Sequence, residues 1–137
     1  MDRISVLDCT LRDGGYCNQW RFGENNIKNI ISGIVESGIR IIECGFLSNK
    51  ASYSADITKY TEVAQISGVI PHNRSGQLYV AMMNYGEYTI DDLPLYDGSS
   101  IDGIRLAFHK KMQKMQCVTV SLLRKKAIKF LFRQWFL

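Results

Sequence analysis

A group of side chains able to do chemistry lies near the start of the chain, in the stretch "LDCTLRDGGYCNQW". Its centre is the pair Arg12-Asp13, followed by Gly14 and Gly15. A carboxylate such as that of Asp13 is a good ligand for Mg²⁺ or Mn²⁺. A guanidinium can hydrogen-bond an oxygen that becomes negative during a reaction, and glycines let backbone come close to a ligand. The same pair could instead be a surface ion pair worth less than about 1 kcal/mol.

Two strands and a helix are predicted to position this pair. The run "RISVLD" (3–8) is short and β-branched and leads into a loop. A nearly continuous apolar run follows at 39–44 and is typical of a buried parallel strand. Between them lies an apolar stripe with the spacing of a core-facing helix, made of Ile27, Ile30, Ile31, Ile34 and Val35. The pattern predicts a βαβ unit.

Further strands are predicted at 78–83 ("LYVAMM") and 101–108 ("IDGIRLAF"). Residues 45–77 read as loops with one short helix, and 91–100 as a loop or a poor helix. Four strands without hairpin signals and with crossovers between them favour an α/β fold with a parallel sheet.

Polar residues follow each predicted strand at its carboxyl end. Because parallel strands all end at one edge of a sheet, we expect these residues to lie near one another; they are Asp8 to Asp13, Glu43, Asn84 and His109. Each also has an ordinary structural interpretation. Glu43 could neutralise Arg40 or Arg12, and His109 could be a hydrogen-bonded histidine at a strand end.

The segment "DCTLRDGG" resembles the D-x-T-L-R-D-G motif on the first strand of the pyruvate carboxyltransferase or HMG-CoA-lyase-like superfamily. These proteins are metal-dependent TIM barrels. "IIECGF" and "IRLAFHK" resemble the aldolase branch of that superfamily, in particular proteins similar to 4-hydroxy-2-oxovalerate aldolase. The resemblance extends over about residues 3–111, and its first motif is the most specific.

The resemblance implies a reaction and assigns roles to residues. Carbon–carbon bonds would be made or broken beside a metal-chelated carbonyl, through an enolate of pyruvate or a related 2-oxo acid. Asp13 aligns with the metal-ligating aspartate, and Arg12 with the arginine that steadies the enolate oxygen. Glu43 and His109 stand where pocket residues are often found. The implied cofactor is a divalent ion, Mn²⁺ or Mg²⁺.

Two departures from the family pattern predict little or no activity and weak or absent metal binding for this chain. Tyr16 stands near the position of the family's histidine base, and a phenol with a pKa near 10 is a weaker base at neutral pH. The family's H-x-H metal motif is also missing, because His72 and His109 are the only histidines.

A full barrel takes about 250 residues, so 137 residues predict roughly half of one. The composition changes near residue 109: residues 1–109 hold all 13 acids, whereas 110–137 hold 8 Lys/Arg and neither acid nor glycine. We therefore expect a half-barrel over 1–109 and a basic, divergent segment over 110–137. A shifted reading frame or another truncation near Lys111 would produce such a segment.

Two non-catalytic alternatives remain. A half-barrel has two unpaired sheet edges, and pairing with a second copy would cover them. The basic segment could instead form an amphipathic helix that binds an anionic membrane or nucleic acid, with an apolar face of Ala127, Ile128, Leu131 and Trp135. The preferred interpretation has neither a nucleic-acid nor a membrane partner. The four cysteines lack C-x-x-C spacing, and with no secretory signal pattern they predict a cytoplasmic protein.

Overall fold

A computed structural model describes residues 4–74, 76–109, 116–126 and 129–135, with only the backbone described at 108–109, 116–118, 120 and 130–135. The strands are β1 (Leu7–Asp8), β2 (Ile41–Leu47), β3 (Lys59–Tyr60), β4 (Leu78–Asn84), β5 (Gly103–His109) and β6 (Lys129–Trp135). The helices are α1 (Thr10–Asp13), α2 (Glu24–Glu36), α3 (Val63–Ser67) and α4 (Gln116–Lys125), and 3₁₀ turns occur at Gly14–Cys17 and Ile90–Asp92.

All six strands belong to one sheet, in which every neighbouring pair is parallel. The main order is β1-β2-β4-β5-β6, and β3 pairs with β2. β1 pairs with the start of β2 and β3 with its end, while β4 pairs along nearly the whole of β2. β1 and β3 therefore share one edge of β2. The predicted α/β fold with a parallel sheet is confirmed.

The main core lies on one face of this sheet. Alternate residues of the central strands point into it, as the period of two in a strand requires. Ile27 and Ile31 of α2 pack there, as do side chains of α3 and α4, so that all three longer helices cover the same face. The predicted apolar stripe of the first helix is confirmed, with Ile30, Ile34 and Val35 partly buried against the same core.

The opposite face of the sheet carries a different set of side chains. Phe46, Met82 and Ala107 form a small apolar cluster there. Glu43 and Arg105 occupy the alternate positions of β2 and β5 that do not enter the main core, and both are buried. This face therefore combines apolar side chains with buried charges, and it holds the candidate site.

The first strand is shorter than predicted. Within residues 4–8 only Leu7–Asp8 form β1, because the ladder with β2 begins at Leu7 opposite Ile41. The predicted loop after it is instead the single helical turn α1 followed by a 3₁₀ turn. The short helix expected within 45–77 is α3.

The basic segment differs from the amphipathic helix predicted for it. Gln116–Lys125 form α4, but Lys129–Trp135 form β6, which pairs with β5 and places Leu131 opposite Arg105. Residues 127 and 128 lie outside the described part of the chain. The alternative of an amphipathic helix is wrong for 129–135, because aromatic residues in this segment favour a strand and β5 offers an edge for pairing. Among the described residues, no helix has the length and apolar character needed to cross a membrane.

Candidate functional site

The turn that carries Arg12 and Asp13 is fixed by hydrogen bonds at its start. Asp8 at the end of β1 accepts two of them on its carboxylate, from the backbone N–H of Thr10 at 2.9 Å and from the Thr10 hydroxyl at 3.0 Å. The carbonyl of Cys9 accepts from the backbone N–H groups of Arg12 and Asp13. A carboxylate before a helical turn satisfies N–H groups that have no partner within the helix. The direction of both site residues is thereby set.

Arg12 is fully buried, which is unusual for an arginine. Its Nε donates to Glu43 Oε2 at 2.8 Å and its Nη1 donates to Asp13 Oδ1 at 2.6 Å. Burial lowers the pKa of Arg12, but the hydrogen bond that it donates to Glu43 and the charges of Glu43 and Asp13 raise the pKa above its ordinary value overall. The third guanidinium nitrogen, Nη2, is buried without an acceptor among the described residues. Arg12 is therefore a fixed cation, and one of its three guanidinium nitrogens is an unused donor among the described residues.

Glu43 is held from a second side by Arg105. Arg105 Nε donates to Glu43 Oε1 at 2.5 Å, and its Nη2 donates to Oε2 at 2.6 Å. The Glu43 carboxylate is completely buried and lies between the two guanidinium groups. A buried carboxylate with this many charge-assisted bonds holds its partners rigidly. We infer that Arg105 and Glu43 position Arg12.

Trp20 covers the turn. Gln19 and Trp20 both have positive φ, 58° and 61°, a conformation that non-glycine residues adopt at a cost of roughly 1–3 kcal/mol. The indole Nε1 donates to the carbonyl of Arg12 at 2.7 Å. A Cβ at Gly15 would lie 2.0 Å from the Trp20 ring. Gly15 therefore makes room for the indole, where the sequence suggested that it made room for a ligand.

Three aromatic rings form a wall beside Arg12. Tyr16, Trp20 and Phe46 meet edge to face, with ring centroids 4.8–6.5 Å apart. The Phe46 ring lies 5.9 Å from the guanidinium carbon of Arg12. The same rings line a cavity of about 290 Å³ that also contacts Asn84 at the end of β4. Because β2 and β4 both end here, this is the carboxyl edge of the sheet.

The structure brings together most of the residues predicted for the site. Arg12 contacts both Asp13 and Glu43, and of the two partners suggested for Glu43, Arg12 is the one found. Tyr16 is 63% exposed and reaches this group through Trp20 and Phe46. The backbone of His109 ends β5, and its side chain lies outside the part of the chain that the structure describes.

Three other contributors were not identified from sequence. Arg105 is a single charge inside the apolar run "IRLAF". A charged residue within a buried strand indicates that a partner of opposite charge is buried beside it. Trp20 and Lys59 give no such signal, since Lys59 is 39 positions further along the chain and reaches the Trp20 ring only through β3 pairing.

Within the described residues, no group of three or more His, Cys, Asp and Glu side chains is placed to hold a metal ion. Asp13 is the one predicted ligand, and its carboxylate is 58% exposed with Oδ1 bonded to Arg12. A single carboxylate suits an ion that keeps most of its water and is completed by a chelating ligand, as Mg²⁺ often is.

No protein-family model matches the chain.

Proposed function

We propose that the chain is the N-terminal part of a divalent-metal-dependent aldolase or lyase barrel, in which Arg12 and Asp13 bind a 2-oxo acid and its ion. The strand order supports a barrel. Apart from the two-residue β3, which shares the β1 edge of β2, the strands lie side by side in chain order, and the longer helices cover one face. A doubly wound sheet would reverse its strand order and carry helices on both faces, whereas a (β/α)₈ barrel winds in one direction.

The observation that carries the proposal is the unused donor on Arg12. A buried donor without a partner is destabilising by about 1–3 kcal/mol, and an anionic ligand oxygen that displaced the atoms covering Nη2 would remove that penalty. Glu43 and Arg105 hold the guanidinium in place before any ligand arrives. Such preorganised donors are what stabilise a developing oxyanion.

Asp13 is the residue that would bind the divalent ion. Its carboxylate is exposed and lies against the guanidinium, so an ion on Asp13 and an oxygen on Arg12 would be neighbours. When bound, a divalent ion would polarise the 2-oxo carbonyl. Arg12 would orient the ligand and bind its negative oxygen, and Tyr16 would carry a proton at its phenol oxygen. A phenol is a weak base near neutral pH, so we propose that this chain binds the acid but turns it over little.

Binding of oxalate, a planar dianion that resembles an enolate, tests this proposal. We expect isothermal titration calorimetry to show oxalate binding that strengthens when Mn²⁺ is present. Arg12→Lys keeps the charge but not the planar fork, and we expect it to weaken binding about tenfold, equivalent to about 1.4 kcal/mol. Arg21→Lys, an exposed position, is the matched control. Equal oxalate affinity in both variants would contradict the proposal.

A second candidate function is self-association. Within the described residues, β1 and β6 each pair on one side only, so the sheet has an open edge at both ends. Both edges belong to the same parallel sheet, and β6 of one copy could extend the ladder of β1 in another. Light scattering after size-exclusion chromatography tests this idea. A dimer would support it, and a monomer at high micromolar concentration would refute it.

A further inference from the structure

The cavity beside the aromatic wall has features that the proposed reaction does not use. Its lining includes two lysines, Lys50 and Lys59, and one acid, Glu87. Among the described residues neither lysine has a carboxylate within ion-pair distance. The ammonium of Lys59 lies 3.6 Å from the centroid of the Trp20 ring. This cation is fixed by an aromatic face and is not neutralised by an acid.

The other polar groups of the cavity are able to donate. The Ser48 hydroxyl accepts from the backbone N–H of Lys50 at 3.2 Å, and within the described part of the chain its own proton has no acceptor. Asn84, at the end of β4, adds a side-chain amide to the lining. With two ammonium groups, a hydroxyl and an amide against one carboxylate, the cavity favours a negatively charged group.

The remaining wall is aromatic. Tyr16, Trp20 and Phe46 meet edge to face and leave ring surface toward the cavity. Aromatic walls of this kind bind planar apolar bodies by edge or offset stacking. The volume, about 290 Å³, is at the lower end for small-molecule sites. A ligand of about the size of one ring with a short acid chain fits that volume.

We propose that this cavity binds an aromatic carboxylate, with the ring against Tyr16, Trp20 and Phe46 and the acid group between Lys50 and Lys59. The site does not require Arg12, Asp13 or a metal ion. It therefore shares Tyr16 with the proposed oxo-acid site but none of the groups that would bind the ion or the oxo-acid oxygen, and its test stands independently of that proposal.

Trp20 provides the measurement, because its ring is part of the wall. A Trp135→Phe background leaves Trp20 as the chain's one tryptophan. In metal-free buffer, we expect 3-phenylpropionate to change Trp20 fluorescence saturably. Two probes separate the contributions: 3-phenyl-1-propanol has the ring without the charge, and acetate has the charge without the ring. We expect each to bind at least about tenfold more weakly, since each loses one of the two interactions.

Substitutions test whether the two lysine ammonium groups bind the carboxylate. Lys59→Met and Lys50→Met keep the length of the side chain but remove its ammonium, and we expect each to weaken 3-phenylpropionate binding by about threefold to tenfold. Lys28→Met, on the exposed face of α2, is the control and should change nothing. If Lys59→Met does not fold, the proposal is still tested by the affinity of Lys50→Met for 3-phenylpropionate. The affinities of the Trp135→Phe protein for the three probes test it as well. Equal affinity for the acid and the alcohol, or no saturable signal, would overturn the inference.

Discussion

Arg12 and Glu43, 31 residues apart in sequence, are joined by a hydrogen bond of 2.8 Å between fully buried side chains. This contact ties the first helical turn to β2 and fixes the direction of the guanidinium. It also explains how a charged motif directly after a strand can be part of the interior. The same carboxylate binds Arg105 on β5, so three segments of the chain depend on Glu43.

Glu43→Gln should therefore destabilise the protein strongly. The substitution removes the charge between two buried guanidinium groups, and breaking a buried ion pair by removing one partner typically costs about 3–5 kcal/mol. Urea denaturation followed by circular dichroism measures the change. Glu36→Gln, at the exposed end of α2, is the control and should lie within about 0.5 kcal/mol of the unmodified chain. A loss below about 1 kcal/mol for Glu43→Gln would show that the pair is not buried as described.

Gly45 is the glycine whose replacement should be most harmful. Its φ is 148°, and a Cβ there would lie 2.2 Å from the carbonyl oxygen of Thr58. We expect Gly45→Ala to destabilise the protein by roughly 3 kcal/mol, through backbone strain and displacement of β3. Gly33→Ala in α2 meets no atom within 4 Å and should stabilise by about 0.5–1 kcal/mol. The thermal midpoints of the two variants should thus move in opposite directions; a shared direction would contradict this account.

The strands and the main helix could be predicted because their patterns are local. The apolar runs at 39–44, 78–83 and 101–108 lie within a few residues of the observed β2, β4 and β5. The apolar stripe from Ile27 to Val35 predicted which face of α2 packs against the core. Each of these elements buries one continuous surface, so the apolar pattern that marks the buried side can be recognised within its own sequence.

The details of the site could not be predicted because they depend on contacts between distant segments. Glu43 had two plausible partners, and its distance from Arg12 and Arg105 is set by sheet order, which no local pattern contains. The position of Trp20 depends on two residues with positive φ that have no sequence signature. At 129–135 the spacing of Leu131 and Trp135 also fits a helix, so the local pattern does not distinguish the helix alternative from the observed strand.

Buried phenols should make the protein sensitive to alkali. Burial raises the pKa of Tyr60 far above its ordinary value. The unfolded phenol ionises near pH 10, so above that pH the unfolded state releases a proton that the folded state retains. The stabilisation from Tyr60 is full below about pH 10 and is lost as the pH rises toward the folded-state pKa, by up to about 1.4 kcal/mol per pH unit.

Tyr60→Phe should reduce this dependence. Its hydroxyl lies 3.5 Å from the carbonyl oxygen of Cys44, the outer limit of a hydrogen bond, so its loss at neutral pH should be small. Urea denaturation at pH values below and above about 10 gives the slope of the unfolding free energy against pH. Tyr53→Phe, at a position 46% exposed, is the control. An unchanged slope in Tyr60→Phe would mean that other groups cause the alkaline loss.

The chain itself should release little pyruvate from 4-hydroxy-2-oxo acids. Asp13 is the single predicted metal ligand that the structure places at the candidate site, and Tyr16, a phenol, stands where the resemblance predicts a histidine base. A lactate dehydrogenase-coupled assay with Mn²⁺ measures this release, and we expect a rate no higher than that without protein. Metal-dependent release that disappears in Asp13→Asn, but persists in the exposed-site control Asp91→Asn, would contradict the expectation.

The central proposal is that Asp13 and Arg12 would hold a divalent ion and an oxo-acid oxygen side by side. Electron paramagnetic resonance of Mn²⁺ with ¹⁷O-labelled oxalate tests it most directly, because ¹⁷O bound to the ion broadens its lines. We predict that Mn²⁺, for which the chain alone is expected to have weak affinity or none, becomes protein-bound with oxalate broadening in the unmodified chain, and that the bound signal is lost in Asp13→Asn. A bound signal that is the same in both proteins, or no protein-bound Mn²⁺ with oxalate present, would contradict the account.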